Sequence, residues 1–265
     1  MKLNFSLKKA WTDLFSDKKY IWQLLAVATL YMIIELSGDI YQIKGPKFLA
    51  TIIIGGYTSL IAYNIINSKE KVLDNIFNNS ETNKFLLLVG LKATLINSIY
   101  MLLPLVPTFY LGVYFGLMHF PTALAITITM IILSPILFYT TIFPTITFAE
   151  TLKFTDGFNF IKAFKTLKAA WKDYLLCFLI MLVILFGLFI LGFLIYNLFV
   201  LKQNKSLNIN SIISYFSHMN WSFFSNELPQ NSLFLSFGCV ISSFFGTHLV
   251  AQVYKNTLIL NKENN

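Results

Sequence analysis

Within the apolar stretches of this sequence, few side chains have a claim to chemistry. Glu35 stands late in a run that is otherwise apolar apart from Gln23, where an unpaired carboxylate in hydrocarbon costs about 2.5–3.5 kcal/mol. A bound cation or a relayed proton would offset that cost, and so would plain hydration near the headgroups, because Asp39 follows four residues later. Lys92 has the right sign to pair with it, but its long stem reaches the opposite surface by snorkelling. His248 and Gln252 are four residues apart and share one helical face. An imidazole beside an amide either lines a polar site between helices or joins two helices by a hydrogen bond. Glu35, His248 and Gln252 are therefore the candidate intramembrane polar site. His119 and His218 have no second ligand at helical spacing, and Cys177 and Cys239 lie in apolar runs without metal-ligand spacing. The sequence has no glycine-rich phosphate loop, HExxH, GxSxG or paired-carboxylate motif. No catalytic, cofactor-binding or metal-binding set is expected.

The elements that must position these residues are long apolar runs. Hydrophobic residues make up 56% of the 265 and charged residues 12%, with a mean hydropathy of +0.67. Crossing the hydrocarbon takes about 20 residues, with a range of ~17–25, and six runs reach that scale: 20–36, 48–66, 93–117, 122–148, 174–201 and 232–254. Breaker-rich turns such as SGDIYQIKGPK and His119-Phe120-Pro121 separate them, as does the polar outer loop 202–231. The fold class expected is all-α, a polytopic transmembrane bundle forming a single integral membrane domain over 1–265. Gly112 and Gly116 form a GxxxG, and Gly238, Ser242 and Gly246 extend a stripe of small residues over three turns. Both are expected to be packing seams, since close backbone contact is what draws helices together in lipid. Phe244 lies about 160° around the helix from Gly246 and is expected to face lipid.

Two amphipathic segments flank these runs. Over 3–19, Trp11 falls on an apolar face with Lys8 and Lys9 opposite; over 156–173, Trp171 joins an aromatic stripe with Lys162, Lys165, Lys168 and Lys172 opposite. This is the profile of helices lying in the membrane interface. The two are related: LKxAWxD occurs at 7–13 and again at 167–173, consistent with a parallel internal repeat. All 20 basic residues are lysine, so bidentate arginine clamps on phosphate or carboxylate are excluded. Because the lysines sit beside apolar runs, the net charge of +8 points to the bilayer and its anionic headgroups as partners rather than to nucleic acid. With six spans, sixteen lysines fall on one side and four on the other, which places both termini in the cytoplasm. No small-residue cleavage site follows the first apolar run, which is expected to remain as an anchor.

Gly56-Tyr57, Gly90-Leu91-Lys92, Tyr100, Leu103-Pro104, TDGF at 155–158 and His248-Leu249-Val250-Ala251-Gln252-Val253-Tyr254-Lys255 together resemble the prokaryotic membrane family termed domain of unknown function four-thousand-and-thirteen. Ala251 departs from the pattern, which has glycine before the glutamine. The family is distantly similar to the membrane domain of some glycerophosphodiester phosphodiesterases. The resemblance implies a membrane fold and no established activity. The expectation is a non-enzymatic envelope or accessory component of the cell membrane, with no protein partner designated. A transporter for a small molecule or lipid and a membrane-embedded lipid-processing enzyme are the alternatives.

Overall fold

The computed structural model describes residues 5–15, 18–41, 44–69, 80–100, 142–204 and 229–263, together with positions 102, 110–111, 114 and 140. Among the described residues the regular structure is all helical. It comprises α1 (Leu7–Phe15), α2 (Lys18–Tyr41), α3 (Lys44–Ile66) and α4 (Ser80–Tyr100), α5 over 142–151, a 3₁₀ turn (Phe154–Phe158), α6 (Phe160–Asn204) and α7 (Pro229–Glu263).

One of these helices, over Phe48–Ile66, has the length and mean hydropathy (1.6) needed to cross a membrane by itself. The runs 20–36, 174–201 and 232–254 lie within α2, α6 and α7, whereas 93–117 and 122–148 fall mostly outside the described residues, together with His119, His218 and the seam Gly112–Gly116. The described residues thus contain an all-helical bundle with one clear span candidate rather than the six expected.

Helix α3 meets α4 backbone to backbone. A Cβ on Gly90 would lie 1.9 Å from the Ile52 carbonyl oxygen, and one on Gly56 would lie 2.6 Å from that of Leu86. Any side chain at these two positions would hold the helices apart. Helix α7 is the centre of the assembly, packing against α1, α2, α3 and α6. Its small-residue stripe faces α6, where a Cβ on Gly246 would lie 2.1 Å from Met181 Sδ. Phe244, expected to face lipid, is instead buried with its ring centroid 6.0 Å from that of Tyr57 on α3. The reason is that α7 is covered on both sides, so no face at this level is left for lipid.

The segment expected as a separate interfacial helix over 156–173 begins later and does not end there. Residues 154–158 form the 3₁₀ turn, and Asn159 caps α6 by accepting the Lys162 backbone N–H at 3.0 Å. The helix then continues into the apolar run, bending at Ala170 (φ −132°, ψ 30°). The two repeat copies bury corresponding residues: Ala10 and Ala170 are covered, while Trp11 and Trp171 stand outward.

The glycine contacts give a direct test. Gly90→Ala forces α3 and α4 apart and is expected to destabilise by at least about 1–3 kcal/mol. Gly187→Ala meets nothing within 4 Å and gains helix propensity of up to about 1 kcal/mol. Thermal unfolding of the detergent-solubilised protein should therefore fall clearly for the first and hold or rise for the second. A silent Gly90→Ala would mean that the two backbones do not touch.

Candidate functional site

The polar residues singled out on α7 meet the N-terminal helix. Ser6 caps α1, its Oγ accepting the Lys9 backbone N–H at 3.2 Å, while Ala10 and Leu14 bury the inner face of the helix. The Ser6 backbone N–H donates to Gln252 Oε1 at 2.8 Å. A backbone N–H can only donate, so this contact fixes which way the amide points. Gln252 Nε2 is then the donor to the Ser6 carbonyl at 3.2 Å and to His248 Nδ1 at 2.9 Å. With Nδ1 accepting, the ring proton sits on Nε2 and is donated to Asp13 Oδ2 at 3.0 Å. One main-chain group thereby sets the direction of the whole chain and holds His248 as the neutral Nε2–H tautomer. A general base needs a ring nitrogen open to substrate. Here both nitrogens are engaged and the ring is 0% exposed, so the arrangement clasps α1 to α7 instead of abstracting protons.

A second polar node lies at the end of α5. Glu150 accepts hydrogen bonds at one carboxylate oxygen from the Tyr254 hydroxyl of α7, at 2.7 Å, and from the Lys162 ammonium of α6. Its main-chain carbonyl accepts Asn67 Nδ2, just beyond α3, at 3.2 Å. Four elements are tied through this one residue. The neighbouring turn is fixed by the Tyr100 hydroxyl, which donates to the Gly157 carbonyl at 2.9 Å, and by the Thr151 hydroxyl, which donates to Asp156. Between α1 and the end of α7, Lys9, Lys255, Ser6 and Gln252 line a hollow of about 290 Å3. Burial and then the neighbouring Lys9 push the Lys255 ammonium below its usual pKa.

His248 and Gln252 thus come together as expected. The Glu35 side chain lies outside the described residues, although its backbone belongs to α2. Of the surface lysines, Lys8, Lys9, Lys165, Lys168 and Lys172 are exposed, with Lys172 over the Trp171 ring at 5.7 Å. Lys162 is partly exposed and pairs with Glu150. Asp13, Ser6, Glu150 and Tyr254 were missed by the sequence reading. The repeated aspartate of LKxAWxD was the available signal for Asp13, since a carboxylate kept beside an apolar run needs a partner.

A family model described as protein of unknown function (DUF4013) matches residues 43–197, more than half of the chain. The chain belongs to that family. No curated protein and no solved structure matches it, so the distant similarity to glycerophosphodiester phosphodiesterases is not shown. The DUF4013 match includes Gly56-Tyr57, Gly90, Tyr100 and the TDGF turn, whereas the clasp of Ser6, Asp13, His248 and Gln252 lies outside it. Within the matched part, the residues that carried the resemblance are contact residues: Gly56 and Gly90 join α3 to α4, and Tyr100 holds the turn.

The clasp yields a graded prediction. Gln252→Leu strands His248 Nδ1, a buried polar group whose lost partner costs about 1–3 kcal/mol, and removes the acceptor of the part-buried Ser6 N–H. Asp13→Asn keeps an oxygen that accepts the His248 proton. Unfolding temperature in detergent should fall several degrees further for Gln252→Leu than for Asp13→Asn. Equal losses would show that the charge of Asp13, rather than the directed hydrogen bonds, holds α1 in place.

Proposed function

We propose that this DUF4013 chain is a multi-pass protein of the prokaryotic cytoplasmic membrane, with both termini cytoplasmic, acting as a non-enzymatic envelope or accessory component. The observation that carries this reading is a broad apolar exterior around a core that, although mainly hydrophobic, also holds polar side chains. Val183 (72% exposed), Trp22 (71%), Ile33, Leu88, Leu95 and Ile99 turn large apolar surfaces outward, while Ser59, Asn64, Thr94, Thr147 and Thr247 are buried. In water, apolar faces on this scale would drive association. Against lipid they are matched, and interior polar groups turn to one another and to the backbone because hydrocarbon offers no partner.

The surface polar groups support the same reading. Trp11 is 63% exposed beside Lys8 and Lys9, as suits an α1 lying among headgroups. The lysine pair at the hollow between α1 and α7 suits anionic headgroups, to which each surface lysine contributes roughly 1 kcal/mol. The occupied nitrogens of His248 favour a structural over a catalytic use of the polar residues nominated by the sequence.

Topology is the test. In a background lacking Cys177 and Cys239, single cysteines at Ser68 and Asn208 should differ on intact cells. A membrane-impermeant maleimide is expected to label position 208 and spare position 68 until the membrane is opened. The reverse pattern would invert the arrangement, and labelling at both positions without permeabilisation would remove the membrane reading.

A further inference from the structure

Between α3, α4, α5, α6 and α7 lies a cavity of about 620 Å3, within the ~300–1,000 Å3 range of small-molecule sites. Polar side chains of four helices converge on it, among them Thr58 from α3, Thr94, Asn97 and Ser98 from α4, Thr145 from α5 and Thr247 from α7. None of its described lining residues is charged, and the remainder of the wall includes Ile54, Ile142, Ile146 and Met181. This is a neutral, hydroxyl-rich chamber with an apolar surround, inside a bundle whose exterior is apolar.

Hydroxyls inside apolar helices often need no ligand, because they bond to their own backbone. Ser98 does so, donating to the Thr94 carbonyl at 2.8 Å. So does Thr58 on the α3 wall, donating to the Ile54 carbonyl at 3.0 Å. Thr94 does not. Its side-chain oxygen is buried without a hydrogen-bond partner among the described residues, and the residue is 8% exposed. Buried polar atoms left unmet are uncommon in native structures and call for an absent group. Asn97 stands one turn further along α4; Thr145 donates to its oxygen at 3.3 Å, which leaves the amide nitrogen as the group Asn97 has to offer a ligand.

We propose that this cavity binds a neutral molecule bearing glycerol-type hydroxyl groups, with Thr94 and Asn97 as its fixed polar contacts. An ion is disfavoured because no charge in the described lining would compensate it once it had left water. A purely apolar ligand is disfavoured because it would leave Thr94 unmet. Two sources share the required chemistry: a neutral lipid such as diacylglycerol, entering from the bilayer, or a small soluble polyol such as glycerol. The lipid source rests on the membrane reading, and the soluble source does not.

The test uses the full-length protein in nanodiscs with a photoreactive diacylglycerol and maps the labelled peptides by mass spectrometry. Labelling is expected around residues 94–98, 145–146 and 243–247, with unlabelled diacylglycerol competing at least tenfold better than anionic phosphatidylglycerol. Thr94→Val, which keeps the shape and removes the hydroxyl, should weaken competition by about fivefold, the equivalent of one net hydrogen bond. Thr94→Ser should restore it, which separates loss of the hydroxyl from misfolding. A rise in unfolding temperature in detergent on adding glycerol, with no labelling by the lipid, would assign the soluble source and leave the cavity chemistry standing even if the membrane reading fell. Labelling confined to outward residues such as Leu88 and Leu95, or competition that ignores headgroup charge and the Thr94 hydroxyl, would overturn the proposal. So would a wild-type protein that responds to neither probe.

Discussion

Helix α7 has to meet different neighbours on different sides, and the rest of the bundle is arranged around that requirement. One side carries no bulk at Gly238 and Gly246, and α6 closes there with Leu188 and Met181. Another carries Phe244, which fills the space against Tyr57 of α3. A third presents His248 and Gln252, which cannot be left without partners and are met by α1. Where the surroundings of a helix are as apolar as its side chains, the hydrophobic effect does not distinguish these sides. Close contact and directed hydrogen bonds then decide which neighbour goes where.

The directed bonds are concentrated near the ends of helices. Ser6 at the start of α1 orders the clasp, and Glu150 at the end of α5 gathers α6, α7 and the residues after α3. At these levels a chain can place ionisable groups without the full penalty of burying a charge in hydrocarbon. Deeper in, contacts rest on glycine, as between α3 and α4, or on hydroxyls turned back on their own helix, as at Thr58. At the cavity, Thr94 keeps a buried hydroxyl that the surrounding described residues do not meet.

This division bears on what family membership conveys. The DUF4013 match covers Gly56, Tyr57, Gly90, Tyr100 and Gly157, and each of them shapes a contact: two glycines with no room for a Cβ, a buried ring against Phe244, a tyrosine donating to a turn, and a glycine pressed on Ile96. Residues of this kind specify how helices are assembled. The chemistry of the cavity resides in threonines, serines and an asparagine, residue types so ordinary in helices that they stand out only once the helices are placed together.

The sequence by itself determined the helical class, the amphipathic character of the LKxAWxD copies and the pairing of His248 with Gln252 on one face. These follow from periodicity and composition, which act over a few turns. It pointed to Gly246 as a contact, because a small-residue stripe has a direction, but it placed Phe244 against lipid, because the helical wheel does not show that Tyr57 of α3 meets that ring. It set Lys162 on an outward face but did not give its pairing with Glu150, twelve residues earlier and across a turn, because the helical wheel does not contain that residue. Only the tertiary structure brought Asp13 to His248 and polar side chains from four helices to one cavity. Those contacts join positions up to 235 residues apart, and no local pattern carries that information.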